Sequence, residues 1–326
     1  MPFNVYVTRM IPQTGIDYLQ RNCDRVDINP EDRVLTPQEL LQAVKGRDGV
    51  LCLLTDRIDA EVFDAAGGAK VFATMAVGYD NIDVPCATRR GIVITNTPGV
   101  LTDATSDFAW ALLFSITRRV VEADKFTRAG KFVGWGPLIL LGGDITGKTL
   151  GIIGAGRIGH AVALKSVGFT IKVLYADIRQ NEELEEKIGA RRVSLEELLK
   201  KSDFVSIHVN LTPETRHLIG AGELALMKRS AYLINTSRGP VIDEAALARA
   251  LKEKRLAGAA LDVYEEEPKV HPELMQLDNV VLAPHIASAT IESRGKMALM
   301  AAENLVAVLR GERPKNCVNP EVLKST

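Results

Sequence analysis

The sequence predicts an α/β fold of two parallel-sheet domains, the second doubly wound and inserted into the first. Three observations carry this expectation. Strand-like and helix-like runs alternate through both halves of the chain. A glycine-rich turn, Gly154-Ala-Gly156-Arg-Ile-Gly159, stands directly behind the apolar run Leu150-Gly-Ile-Ile153, near the middle of the chain. A length of 326 residues supplies about two domains of ~150 residues, each with its own core.

Residues 3–7 (Phe-Asn-Val-Tyr-Val) read as a strand and residues 13–20 as a short helix. Residues 37–44 form a second helix, with Thr36 as its N-cap. Apolar strands follow at 49–54, 69–74 and 92–96, completing a small parallel sheet. Pro98-Gly99 breaks the alternation. Beyond it, residues 103–129 carry apolar side chains at helical spacing (Phe108, Ala111, Leu112, Ile116) and close at Gly130, predicting one long helix. Residues 134–143 (Gly-Trp-Gly-Pro-Leu-Ile-Leu-Leu-Gly-Gly) form an irregular, oily loop. Such a loop is expected to pack on the sister domain or on a second subunit.

Six apolar runs then follow, at 149–153, 172–175, 204–209, 231–235, 257–263 and 280–283. Opened by the glycine turn, they describe a doubly wound dinucleotide domain. A last helix at 290–310 is expected to fold back onto the first domain. The boundaries this gives are 1–99 plus 287–326 for the first domain and 100–286 for the second.

A net charge of −1 leaves no electrostatic footprint for nucleic acid or an acidic membrane surface. No apolar stretch reaches the ~18 residues of a membrane span. The short pairs Arg89-Arg90, Arg118-Arg119 and Arg191-Arg192 read as solvated surface. Cys23, Cys52, Cys86 and Cys317 are far apart and lack a Cys-x-x-Cys spacing, which fits a reducing compartment and neither a disulfide framework nor a metal site. With no basic-then-apolar leader ahead of residue 3, a cytoplasmic enzyme acting on a small molecule is expected.

Each glycine of the turn has a physical task. Gly154 permits the tight turn, Gly156 lets backbone approach a pyrophosphate, and Gly159 allows close helix–strand packing. A helix starting near Arg157 and Ile158 aims its N–H groups and positive dipole end at the phosphates. Asp177 lies 21 positions after Gly156, at the end of the next apolar run, where a carboxylate would hold ribose hydroxyls. It favours NAD by repelling a 2′-phosphate. Arg179 could attract one and keeps NADP as the second candidate.

Three polar residues stand at strand ends of the second half: Arg238 after Asn235-Thr-Ser237, Glu267 in Asp262-Val-Tyr-Glu-Glu-Glu-Pro268, and His285 after Pro284. In an open α/β sheet, ligands bind beyond the carboxyl ends of the strands. Hydride transfer to a carbonyl carbon needs a proton delivered to the oxygen, and histidine is the usual acid–base group. A carboxylate on the other ring nitrogen fixes the tautomer and favours the imidazolium. Arginine grips a substrate carboxylate and polarises the neighbouring carbonyl, which points to a 2-oxo acid. Glu265 or Glu266 could serve in place of Glu267. His208 reads as a satisfied core residue and His217 and His271 as loop positions, while His160 sits near the phosphates with no mechanistic role.

With Ala76-Val-Gly-Tyr-Asp-Asn-Ile-Asp83, Asn235-Thr-Ser-Arg-Gly-Pro240, Leu261-Asp-Val-Tyr-Glu-Glu-Glu-Pro268 and Pro284-His-Ile-Ala-Ser-Ala-Thr290, the chain resembles the D-isomer-specific 2-hydroxyacid dehydrogenase family. The likeness runs from about residue 3 to 320. Within the family it most resembles glyoxylate/hydroxypyruvate reductases, through Lys131-Phe-Val-Gly-Trp-Gly-Pro137 and the Val77-Gly-Tyr79 loop.

The resemblance implies a Rossmann NAD(P) domain inserted into a smaller flavodoxin-like α/β substrate domain. It implies reversible reduction of a small 2-oxo acid to the D-hydroxy acid, with Arg238, Glu267 and His285 catalytic. Glu267 is chosen for its place before Pro268. Val77 and Gly78 would offer backbone amides to the substrate carboxylate. Thr105 would contact the cofactor, and Thr236, Asp262 and Ala287 would line its nicotinamide end. Ala287 stands where relatives often carry glycine. Trp135 resembles a residue that reaches the partner subunit's active site, implying a homodimer. Other chemistries in such folds include phosphite and formate oxidation, phosphoglycerate oxidation and dinucleotide sensing by corepressors. The lysine and glutamine that mark the first two are absent, since Val77 and Glu267 occupy those segments.

Overall fold

Parallel pairing of buried apolar strands builds two separate sheets in the computed structural model, which describes residues 2–324. The chain divides into two compact units: residues up to Leu101 with those from Ala289 onward, and Thr102–Ser288.

In the first unit, β1 (Asn4–Val7), β2 (Arg25–Ile28), β3 (Gly49–Cys52), β4 (Val71–Thr74) and β5 (Val93–Thr95) form a sheet of order β2-β1-β3-β4-β5. That order is the flavodoxin-like one. The central strands β3 and β4 are buried at every position, as a sheet covered on both faces requires. Its helices in this stretch are α1 (Gln13–Asn22), α2 (Pro37–Ala43), α3 (Ala60–Ala66) and α4 (Val84–Arg89). Thr36 caps α2 in a full capping box with Glu39.

The expected single helix over 103–129 is two helices, α5 (Thr102–Thr117) and α6 (Val120–Arg128). Arg119 lies between them at φ 54°, a left-handed conformation that no α-helix accommodates. Bidentate pairing of its guanidinium with Glu122 holds the break.

The second sheet holds β6 (Thr149–Ile153), β7 (Lys172–Ala176), β8 (Arg191–Arg192), β9 (Phe204–Ile207), β10 (Tyr232–Asn235), β11 (Gly258–Leu261) and β12 (Val280–Leu282). Their order is β12-β11-β10-β9-β6-β7-β8, all parallel. Strand order reverses at β6, which pairs with β7 on one side and β9 on the other. That is the switch point of a doubly wound sheet. β8 is an exposed two-residue edge strand made of the pair read from sequence as solvated surface. Around the sheet lie α7 (Arg157–Leu164), α8 (Glu182–Ile188), α9 (Leu195–Lys201), α10 (Ala221–Leu226) and α11 (Glu244–Lys252).

Trp110, Phe114 and Phe169 form a ring cluster with centroids 5.2–5.7 Å apart, and the Trp110 indole donates to the Val162 carbonyl at 3.0 Å. Each such pair adds about 0.5–1.5 kcal/mol beyond its area. The cluster fixes α5 against α7 and so sets where the glycine turn points.

α12 (Ile291–Leu309) returns to the first unit, where Gly295 accepts a hydrogen bond from Thr14 and Asn304 donates to the Asn96 carbonyl.

Candidate active site

β6 ends at Ile153 and the chain turns at Gly154 with φ 88°, a conformation open to glycine at no steric cost. A Cβ on Gly159 would lie 2.0 Å from the Gly154 carbonyl oxygen, so α7 can approach the turn only with hydrogen at that position. Gly156 is different. It is the N-cap of α7, a Cβ there would meet nothing within 4 Å, and no side chain caps the helix. The first-turn amides at Arg157 and Ile158 therefore face an open cradle, which fits a pyrophosphate.

Asp177 follows β7. Its Oδ2 accepts from the Ala155 amide at 2.8 Å and its Oδ1 from the Arg179 amide at 2.9 Å. Arg192 donates to the carbonyls of Asp177 and Ile178, both at 3.0 Å, and steadies this corner. The Arg179 residue is exposed beside it. His160 stands on the first turn of α7, with Nδ1 3.2 Å from the Asn181 amide nitrogen and Nε2 3.6 Å from Glu183. Its contacts give it a structural place at that corner. Thr105 is buried near the start of α5. The Thr236 hydroxyl, also buried, has no hydrogen-bond partner among the described residues and remains available to a ligand.

Arg238, Glu267 and His285 come together beyond the ends of β10, β11 and β12. His285 Nδ1 lies 2.9 Å from Glu267 Oε2, and the side chains are 25% and 30% exposed. The other Glu267 oxygen accepts from the Tyr264 amide at 3.1 Å. Burial pushes the Glu267 carboxyl up, but the His285 hydrogen bond and charge, with the Arg238 guanidinium, outweigh it and hold the group below the ordinary range. Arg238 itself donates to the Ser237 carbonyl at 2.9 Å.

The choice among three glutamates is thus made by geometry. Glu265 turns away to His217 and Arg216, while Glu267 meets the histidine. His217, expected as a plain loop position, is exposed yet tied down.

Asp262 is fully buried at the end of β11 and gathers the histidine loop. Its backbone carbonyl accepts from the His285 amide at 2.8 Å, and its carboxylate takes the Ile286 and Ala287 amides at 2.8 and 2.7 Å. Burial pushes this carboxyl up against those two amides. The Ala287 amide, expected at the nicotinamide end, is therefore committed to Asp262. Sequence reading missed this clamp, because nothing in a lone aspartate marks partners 24 and 25 residues away.

In the first unit, Val77 and Gly78 are half-buried in the loop after β4. Asn96 donates to the Val77 carbonyl at 2.8 Å, and the Thr97 amide to the Ala76 carbonyl at 2.9 Å. Trp135 is 84% exposed.

A doubly wound sheet, a glycine cradle at its switch point and an Arg/Glu/His cluster define a nicotinamide-dependent oxidoreductase. The model of the D-isomer specific 2-hydroxyacid dehydrogenase NAD binding domain matches residues 110–287. A glyoxylate reductase of Thermofilum pendens is 54% identical over 324 residues, covering 98% of this chain and 95% of that protein. The crystal structure of a glyoxylate reductase from Paecilomyes thermophila superposes with a TM-score of 0.86 at 34% identity, covering 98% of this chain and 100% of the other. An NADPH-dependent glyoxylate/hydroxypyruvate reductase from Sinorhizobium meliloti, in complex with NADP and malonate, gives 0.84 at 29% identity, covering 98% and 97%. The chain belongs to the D-isomer-specific 2-hydroxyacid dehydrogenase family. It is an oxidoreductase that reduces a small 2-oxo acid and carries an NAD-binding domain.

Proposed function

We propose that the protein reduces glyoxylate or hydroxypyruvate to the D-2-hydroxy acid, with NADH ahead of NADPH, as a cytoplasmic homodimer. The observation that carries the site reading is the 2.9 Å contact between His285 Nδ1 and Glu267, whose carboxyl the Arg238 charge also lowers. When bound, the nicotinamide supplies the hydride to the carbonyl carbon. His285, held through Nδ1, presents Nε2 and gives its proton to the carbonyl oxygen, ending as neutral imidazole. Glu267 orients the ring through its bond to Nδ1. Arg238 grips the substrate carboxylate and draws electron density toward the carbonyl oxygen. Val77 and Gly78 add backbone amides to that carboxylate.

On the cofactor side, Gly154, Gly156, Arg157, Ile158 and Gly159 hold the pyrophosphate, and Asp177 holds the ribose hydroxyls. Thr105, Thr236, Asp262 and Ala287 complete the cofactor wall. The negative charge of Asp177 supports NAD, and exposed Arg179 is the route by which NADP could bind. Relatives named glyoxylate reductase at 49–54% identity support the substrate class. Four free cysteines support a reducing compartment.

An absorbance assay at the nicotinamide band, with a panel of 2-oxo acids and both cofactors, tests this reading. Glyoxylate or hydroxypyruvate should lead, above pyruvate and larger sugar-derived or phosphorylated acids. His285→Ala should lower turnover at least ~10²-fold with NADH affinity intact. Arg238→Ala should chiefly lower kcat/KM for the oxo acid. Full activity in either variant removes that residue from the site. NADH binding without turnover of any acid would support a dinucleotide sensor.

A further inference from the structure

We propose that Glu244 is a positioning residue for the catalytic carboxylate: it ties down the start of the segment 265–271, which carries Glu267. This rests on the assignment of Glu267 and His285 above.

Glu244 opens α11 and is only 5% exposed. Its Oε1 accepts the Glu265 amide at 2.6 Å. In return the Glu244 amide reaches Glu265 Oε2 at 3.4 Å. Burial pushes the Glu244 carboxyl up, the Glu265 amide opposes this, and the nearby Glu265 charge adds to the rise. A carboxylate placed there is costly unless that amide satisfies it.

Helix capping does not account for this burial. Asp243 already caps α11, accepting from the Ala246 amide at 2.9 Å. Nor does the segment hold itself: within it there is one isolated bridge, Glu266 to Lys269.

The same junction touches Arg238. A Cβ on Gly239 would fall 1.8 Å from the Tyr264 carbonyl carbon, so the turn after Arg238 and the start of the Glu267 loop meet backbone to backbone. His217 fastens them from outside, donating its amide to the Pro240 carbonyl at 2.8 Å and pairing its ring with Glu265. Glu244 thus acts one step behind Glu267, through the backbone that aims it.

Steady-state kinetics with the full-length enzyme test this. Glu244→Ala should lower kcat ~10–100-fold, the scale of a misplaced catalytic group, with KM for glyoxylate and NADH affinity within ~3-fold of wild type. Glu244→Gln keeps an acceptor oxygen for the Glu265 amide and should recover most of the loss. In a Glu267→Gln background, Glu244→Ala should cost little more, because both changes disable one unit. Unchanged kcat, a parallel loss of NADH affinity, or full additivity with Glu267→Gln would overturn the proposal. If Glu244→Ala does not fold, Glu244→Asp withdraws the carboxylate by one methylene, and wild-type kcat there would overturn it equally. Wild-type turnover in His285→Ala would instead sink the site assignment itself.

Discussion

His285 sits at φ 55°, in the left-handed region, which costs a non-glycine residue about 1–2 kcal/mol. Asp262 offsets that cost with three hydrogen bonds to consecutive amides, 285 to 287. The strained backbone aims the imidazole at Glu267, so strain and function share one cause. His208 is a different case. Burial pushes its imidazole down to about 3, and its Nε2 bonds to the Ser206 hydroxyl at 2.8 Å. The folded value lies below the ordinary ~6.5, so the unfolded chain takes up this proton first as pH falls. The stability from neutral His208 is full above pH ~6.5 and drains away as pH drops toward 3. His208→Asn should therefore lose less Tm than wild type between about pH 7 and about pH 4.5. A tenfold difference in proton affinity between the folded and unfolded chain is worth ~1.4 kcal/mol, enough for a gap of a few degrees. Parallel Tm curves for the two proteins would mean that His208 does not resist protonation in the fold.

At the scale of elements, the glycine turn separates stability from binding. Gly159→Ala forces a methyl against the Gly154 carbonyl and should cost about 1–3 kcal/mol or more, lowering Tm by several degrees. Gly156→Ala enters open space at φ −71°, which alanine accepts, so Tm should move little. Its methyl occupies the cradle instead, and NADH affinity should fall at least ~10-fold. Titration by NADH fluorescence checks this, and wild-type affinity would place the phosphates elsewhere. The buried strands β6, β9 and β10 were legible in the sequence because covered parallel strands are continuous apolar runs. β2 and β8 were not, since Arg25-Val-Asp-Ile28 and Arg191-Arg192 are edge strands with charged residues and no apolar run. The short helices α3 and α4 escaped because one or two turns give too little periodicity to detect, although Asp59 and Asp83 cap them. In the site, the residue types and strand-end positions of Arg238, Glu267 and His285 were visible. The Asp262 clamp on residues 285–287 and the contacts of Glu244 and His217 with Glu265 were not, because each depends on partners that only tertiary folding brings near.

For the molecule as a whole, the segment after α6 poses the remaining physical problem. Phe132, Val133, Trp135, Leu138 and Leu141 are 57%, 97%, 84%, 81% and 61% exposed, a run of apolar surface that water penalises. We propose that a second copy of the chain covers it symmetrically and, as the family resemblance implies, brings Trp135 to the partner subunit's site. That arrangement makes a complementation prediction. Trp135→Ala and His285→Ala should each be impaired as homodimers, the first mainly in KM for the oxo acid. In a mixed dimer, the Trp135→Ala protomer keeps its own histidine and receives tryptophan from its partner, so one site is whole. The other site lacks both residues. Statistical co-assembly makes half the dimers mixed, so co-expression should restore about a quarter of wild-type activity from two defective chains. Sedimentation should give the dimer mass in every case, and replacing Val133, Trp135 and Leu138 together by serine should shift it toward monomer. A co-expressed pair no more active than the average of its parents would confine Trp135 to its own chain and leave the apolar run without its proposed purpose.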